Sequence, residues 1–193
     1  FNQARHAMVE QQVRPWEVLD RRVLDVLGDV KREDFVPAMH RKLAFADLAL
    51  PLGHDEFMLK PVIEGRLLQA LDIAPTDEVL EIGAGSGFLT ACLARLARSV
   101  QAIERHADFV AEAQRRLQSL EAANVRLEQG DAATWDTALR FDAILVGGAV
   151  AEVPERFVRW LKPGGRLVLV RGASPVQEAI CLRNDAAGPR IES

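Results

Sequence analysis

Short apolar runs alternate with longer amphipathic ones through most of this chain. Val79-Leu80-Glu81-Ile82 is apolar and branched with one acid, and reads as a short buried strand. Residues 99–103, 125–128, 141–146, 166–170 and 178–182 repeat that character and predict five more strands. Residues 88–96, 106–120 and 154–161 carry helical spacing. In 106–120, Ala107, Val110, Ala111, Leu117 and Leu120 share one side, with Arg and Glu opposite, so Arg115 and Arg116 are expected on a solvated face. Lys162-Pro163-Gly164-Gly165 is a turn by composition. Strands alternating with helices predict an α/β fold: a doubly wound, mostly parallel sheet with helices on both faces.

Residues 1–76 read differently. Ala4, Ala7, Met8 and Val13 give a moderately amphipathic helix over 2–13 that ends before Pro15. Asp20 is placed to cap a helix over 21–27, with Gly28 as its stop. Residues 43–52 could be extended. Gly53-His54-Asp55-Glu56-Phe57-Met58-Leu59-Lys60 then leads into a helix over 61–71. Ionisable His54, Asp55 and Glu56 sit together there. They make either a surface turn or a substrate-facing loop with acid–base groups.

Composition narrows the picture only slightly. At 193 residues, one domain is expected, with an N-terminal helical part over 1–76 and a sheet core over 77–193. A net charge of -4 argues against a dedicated nucleic-acid binder. No apolar run is long enough to span a bilayer, which predicts no membrane partner and a cytoplasmic setting. Cys92 and Cys181 lie in apolar runs and are expected as buried free thiols, with no metal site. The chain opens on Phe1, so a start short of the native N-terminus is expected. It stops at Ser193, and one sheet edge is expected to be incomplete.

The chemistry concentrates after the strand at Val79. Gly83, Gly85 and Gly87 alternate and lead into the helix at Phe88. Strand, glycine turn and helix bring bare backbone up to a ligand. A dinucleotide fingerprint needs glycine where Phe88 stands, and a P-loop needs Gly-Lys-Ser/Thr, which is absent. What remains is acid-x-Gly-x-Gly-x-Gly, with Glu81 as the acid. Glu104 follows Gly83 by 21 residues at a strand tip, placed for ribose hydroxyls. Asp131, after Gly130, falls at a carboxyl edge where an adenine amino group would find its acceptor, and turn chemistry is the competing reading. Gly147-Gly148-Ala149 leaves room beside a reacting centre.

The glycine turn with its acid resembles motif I of the class I S-adenosylmethionine-dependent methyltransferases, a Rossmann-like fold. There the carboxylate of Glu81 suits the cofactor's ammonium and sulfonium. The chain as a whole is similar to the protein-L-isoaspartate O-methyltransferase family. The resemblance is carried by VLEIGAGSGF, AIER, GDA, FDAILVGGA and LKPGGRLV, and by the lead-in from Val23 to Pro37 and from Ala46 to Gly53. It implies S-adenosyl-L-methionine as cofactor and methyl transfer to an isoaspartyl carboxylate of a damaged protein. The cofactor residues it implies are Glu81, Ile82, Gly83, Ala84, Gly85, Gly87, Glu104, Arg105, Asp131, Ala132 and Gly147. The family's Thr-Ile-Ser loop falls on Phe57, Met58 and Leu59, so its hydroxyls are missing. His54, Asp55 and Lys60 are the remaining candidate groups on that loop. Two alternatives stay open: a same-fold methyltransferase acting on a small-molecule acceptor, and a cofactor-binding protein without catalysis.

Overall fold

The computed structural model describes residues 1–192. Helix α1 (Asn2–Met8) continues as a π-helical turn over Val9–Val13 and a 3-10 turn over Arg14–Trp16. Pro15 does not stop the winding, because proline lacks only a donor that the start of a turn leaves unpaired. The chain reverses at Glu17, whose φ is 62°. Helix α2 (Arg21–Asp29) is capped as expected: the Asp20 side chain accepts from the Arg22 amide at 2.8 Å. Gly28 lies inside this helix rather than ending it. Residues 43–52 are mostly not extended: a 3-10 turn ends at Leu43, and turns and bends fill 44–48. Only β1 (Leu50–Gly53) is a strand, paired antiparallel with β2 (Glu56–Met58). Helix α3 (Pro61–Leu71) follows.

The remaining elements are β3 (Glu78–Ile82), α4 (Phe88–Leu96), β4 (Ser99–Glu104), α5 (Ala107–Ser119), β5 (Val125–Gln129), β6 (Phe141–Val150), α6 (Glu155–Arg159), β7 (Leu161–Arg171), β8 (Glu178–Asp185) and β9 (Gly188–Glu192). The sheet order is β5-β4-β3-β6-β7-β8-β9. The first five strands run parallel, while β8 and β9 are antiparallel additions at one edge. Lys162-Pro163-Gly164-Gly165 is the irregular opening of β7 and not a free turn. The strand β9 has no counterpart among the six expected.

The pleat sorts the core into two layers. Val79, Val100, Ala143, Leu145 and Val168 face one side, under α2 to α5 and the N-terminal turns. Leu80, Ile82, Ile144, Val146 and Leu167 face the other, under Phe157 of α6, Trp160 and Trp135. Helices thus lie on both faces, but unequally: α6 has only five residues. The buried side of α5 is Phe109, Val110, Ala113 and Leu117, whereas Ala107 and Ala111 are exposed. Cys92 is buried, but Cys181 is only half-buried.

Close packing decides one substitution against helix propensity. Gly65 sits within α3, where alanine would gain about 1 kcal/mol in an isolated helix. A β-carbon there would stand 2.7 Å from Cγ1 of Val13, and 3.3 Å from Leu27 and Val18 methyls. Val13 is fully buried and stiff at χ1, so it cannot swing clear. Overpacking of this kind costs roughly 1–3 kcal/mol. Gly65→Ala is expected to lower stability, read as a lower urea midpoint at unchanged slope.

Candidate functional site

The chain runs outward from β3 through β4 to β5, then crosses back to place β6 on the other side of β3. That reversal opens a crevice at the carboxyl ends of the strands, where open α/β sheets bind ligands. A cleft of about 310 Å³ lies there. Its floor is Ile82, Gly83 and Gly85 after β3, Glu104 and Arg105 at β4, Asp131 and Ala132 after β5, and Gly147 on β6. Eight of the eleven residues expected at the cofactor therefore converge. Glu81, Ala84 and Gly87 are not in its lining.

Gly83, Gly85 and Gly87 have φ of 85°, 51° and 84°, a region that side chains disfavour. Among the described residues, nothing lies within 4 Å of a β-carbon built on Gly83, so its outer side faces the open cleft. Gly87 serves a different end. Its β-carbon would lie 2.9 Å from that of Ala113, so it lets the start of α4 sit close against α5. Gly147 lines the cleft with its backbone, and the place a side chain would take is already filled. Its β-carbon would meet the Gly83 carbonyl at 2.6 Å, so its smallness lets β6 close on the glycine turn.

Glu104 is 5 % exposed and stands at the heart of the cleft. One oxygen accepts from the Gly85 amide and the other from the His106 amide, both at 2.9 Å. These bonds fix the carboxylate and leave further lone pairs for a ligand's hydroxyls. Asp131 lies at the carboxyl edge, as the sequence predicts. Its Oδ1 accepts from the Ala133 amide at 2.8 Å, which is turn chemistry, while the residue lines the cleft.

Glu81 departs from the expectation of contact with a cationic ligand. In the pleat it points opposite to Leu80 and Ile82, into the layer under α4. There it is fully buried and accepts from the Thr90 hydroxyl. Its other oxygen has no hydrogen-bond partner among the described residues. Burial pushes its carboxyl up to about 8, with the Thr90 bond opposing and Glu104 adding to the rise. It is a neutral acid beneath the glycine turn at pH 7.

The loop from Gly53 is a hairpin lid. His54 and Asp55 form its two-residue tip, both in the left-handed region at φ 53° and 58°. They do not line the cleft, and neither does exposed Lys60; Glu56 and Phe57 do. His54 stacks on His106 at 4.2 Å and meets Asp108 Oδ2 at 2.9 Å. The His54 bond draws the Asp108 carboxyl below its ordinary range. The two rings and Asp108 place potential ligand atoms within 4.8 Å of one another, but in the protein they latch the lid onto α5. Arg105 adds a second tie, donating to Glu56 at 2.8 Å. Leu59 sits in the wall of an adjoining cavity.

Several site residues escaped sequence reasoning. Phe109 of α5 and Leu52 of β1 line the cleft, yet each resembles an ordinary core position. Arg116 is not solvated as expected: it donates to the Ser86 carbonyl at 2.9 Å and braces the glycine turn. Only a basic residue directly beside the buried stripe of α5 could have signalled that.

A raised carboxyl has a stability signature. Glu81 is protonated in the folded state up to about pH 8, whereas the unfolded carboxyl ionises near 4.5. Its contribution is complete below pH 4.5 and is lost as pH rises through 8. Glu81→Gln cannot ionise. The variant is expected to match the wild type at pH 4.5 and exceed it at pH 8.5 in urea denaturation.

The family model for protein-L-isoaspartate(D-aspartate) O-methyltransferase matches residues 3–191. A protein-L-isoaspartate O-methyltransferase of Methylorubrum populi is 43% identical over 192 residues, covering 98% of this chain and 89% of its own length. One from Methanoregula boonei is 36% identical over 189 residues, covering 97% and 87%. A solved structure of a Plasmodium falciparum candidate of the same name, in complex with S-adenosyl-L-homocysteine, superposes with a TM-score of 0.83 at 20% identity, over 97% of this chain and 93% of that one. At that identity the superposition speaks for the fold, and the sequence matches settle the lineage: this chain belongs to the protein-L-isoaspartate O-methyltransferase family.

Proposed function

We propose that this chain transfers a methyl group from S-adenosyl-L-methionine to the free carboxylate of an isoaspartyl residue in a damaged protein or peptide. The observation that carries this reading is the cleft at the strand reversal. There Glu104, held by two backbone amides, faces a glycine turn with open space above Gly83. The residues fit the cofactor. Glu104 offers acceptors for ribose hydroxyls, Asp131 and Ala132 stand at the adenine end, and Gly83 and Gly85 admit the methionyl part. Bound there, the cofactor supplies an electrophilic methyl on a sulfur that leaves as a neutral thioether when a carboxylate oxygen displaces it. The acceptor carboxylate is already ionised at neutral pH, so no side chain has to remove a proton. The chain's task is to align the acceptor and exclude water, which alone can supply a large part of an enzymatic rate gain. The lid residues Leu52 and Phe57 and the backbone of Gly147 and Gly148 wall the acceptor side.

One observation favours a second reading. Phe57 is 55% exposed on the lid, where the family pattern has a hydroxyl. An apolar wall there suits a small apolar acceptor better than a polar one.

Two measurements test these readings. Labelled S-adenosylmethionine is offered with an isoaspartyl peptide and with the same peptide carrying normal aspartate. Transfer to the isoaspartyl peptide alone is expected, and cofactor binding with no transfer to it would discard the repair reading. Glu104→Gln is expected to weaken S-adenosylhomocysteine binding by calorimetry about tenfold or more, the scale of losing a charge-assisted hydrogen bond.

A further inference from the structure

With Glu81 sealed beneath the glycine turn, the cationic end of the cofactor needs another acid. The structure offers one that no motif marks. Glu64 lies in the first turn of α3 and is 1% exposed. Its Oε2 pairs with Nη1 of Arg32, which has no exposure at all. The other bonded nitrogens of Arg32 are committed to the carbonyls of Ala44 and Leu59, each at 2.7 Å. Oε1 of Glu64 meets no donor among the described residues, and unlike Oε1 of Glu81 it is not sealed.

Glu64 borders a cavity of about 40 Å³ between the lid and the glycine turn. The cavity shares Leu52, Phe57, Gly83, Gly85 and Gly147 with the main cleft, so the two adjoin. Leu59, Phe88 and Leu89 make much of the remaining wall, and Glu64 is the one ionisable side chain on it. The space accepts a group the size of an ammonium and is far too small for a nucleoside. An acid in such a wall is costly in water's absence, and burial pushes Glu64 up to about 7 against the pull of Arg32. A cation arriving at Oε1 relieves that cost through a charge-assisted hydrogen bond, while an anion is repelled. Arg32 does not compete for this position, because it holds the opposite oxygen.

Resting on the cofactor assignment above, we propose that Glu64 is the acid that binds the α-ammonium of S-adenosylmethionine through Oε1, with Arg32 as the positioning residue that orients it. The role expected of the strand acid Glu81 thereby passes to a helix on the other side of the glycine turn.

The test is a two-by-two comparison by calorimetry. S-adenosylhomocysteine and its deamino analogue, which lacks only the α-amino group, are titrated into the wild type and into Glu64→Gln. The glutamine keeps an oxygen for Arg32. Wild type is expected to prefer S-adenosylhomocysteine about tenfold or more, and Glu64→Gln to bind the two ligands alike. A variant that keeps the wild-type preference overturns the proposal, as does a wild type that binds both ligands equally. Failure of the wild type to bind either ligand overturns the cofactor assignment itself, a separate outcome. Should the glutamine variant not fold, Glu64→Asp keeps a charge for Arg32 but withdraws it from the cavity. It is expected to show a reduced preference, and an undiminished one counts against the proposal.

Discussion

Arg32 has no access to solvent, and its bonds reach the Ala44 carbonyl, the Leu59 carbonyl and the Glu64 carboxyl. Those partners belong to a 3-10 region, the end of the lid and the start of α3. A buried guanidinium is tolerated only when its donors are satisfied and its charge is matched. The three segments must therefore be in place together or not at all. Arg5 and Glu33 repeat the device nearby: Nη1 of Arg5 donates to both Glu33 oxygens, at 2.7 and 2.9 Å, and ties α1 to the turn carrying Arg32. The irregular N-terminal third is held in shape by charge matching as much as by apolar contact. That shape delivers the lid to the cleft.

The parallel core obeys a different constraint, the approach of backbone to backbone. β6 can lie beside the glycine turn because Gly147 has no side chain to strike the Gly83 carbonyl. The turn is fixed on its other side by Glu104 through the Gly85 amide and by Arg116 through the Ser86 carbonyl. A loop with three left-handed glycines would be floppy alone. Here it is gripped by three elements, which fixes its backbone in place.

Much of this was readable from the residues. Ile82 and Glu104, which end their strands, and Asp131, two residues past β5, fall together because the carboxyl ends of parallel strands share one edge. Direction was harder. The alternation of Leu80, Glu81 and Ile82 turns Glu81 away from Leu80, but its fate depended on which face α4 covers. Glu64 was hidden because a single acid in an apolar helix looks like a solvated position. Its partner Arg32 lies 32 residues earlier. The additional strand β9 and the irregular start of β7 were missed because Gly and Pro there read as turn residues, whereas pairing with neighbours carries the strand through them.

The lid joins the rest of the protein in two unlike ways. At its root, Met58 is buried and Arg32 grips the Leu59 carbonyl. At its tip, the ties are His54 with Asp108 and Glu56 with Arg105, all substantially exposed to water. Exposed ion pairs hold weakly and are screened by salt. Lifting the tip would break only these exposed ties and leave the buried contacts of the root intact. Any such motion would follow ionic strength, because the charged groups of the latch stand in water where salt screens them.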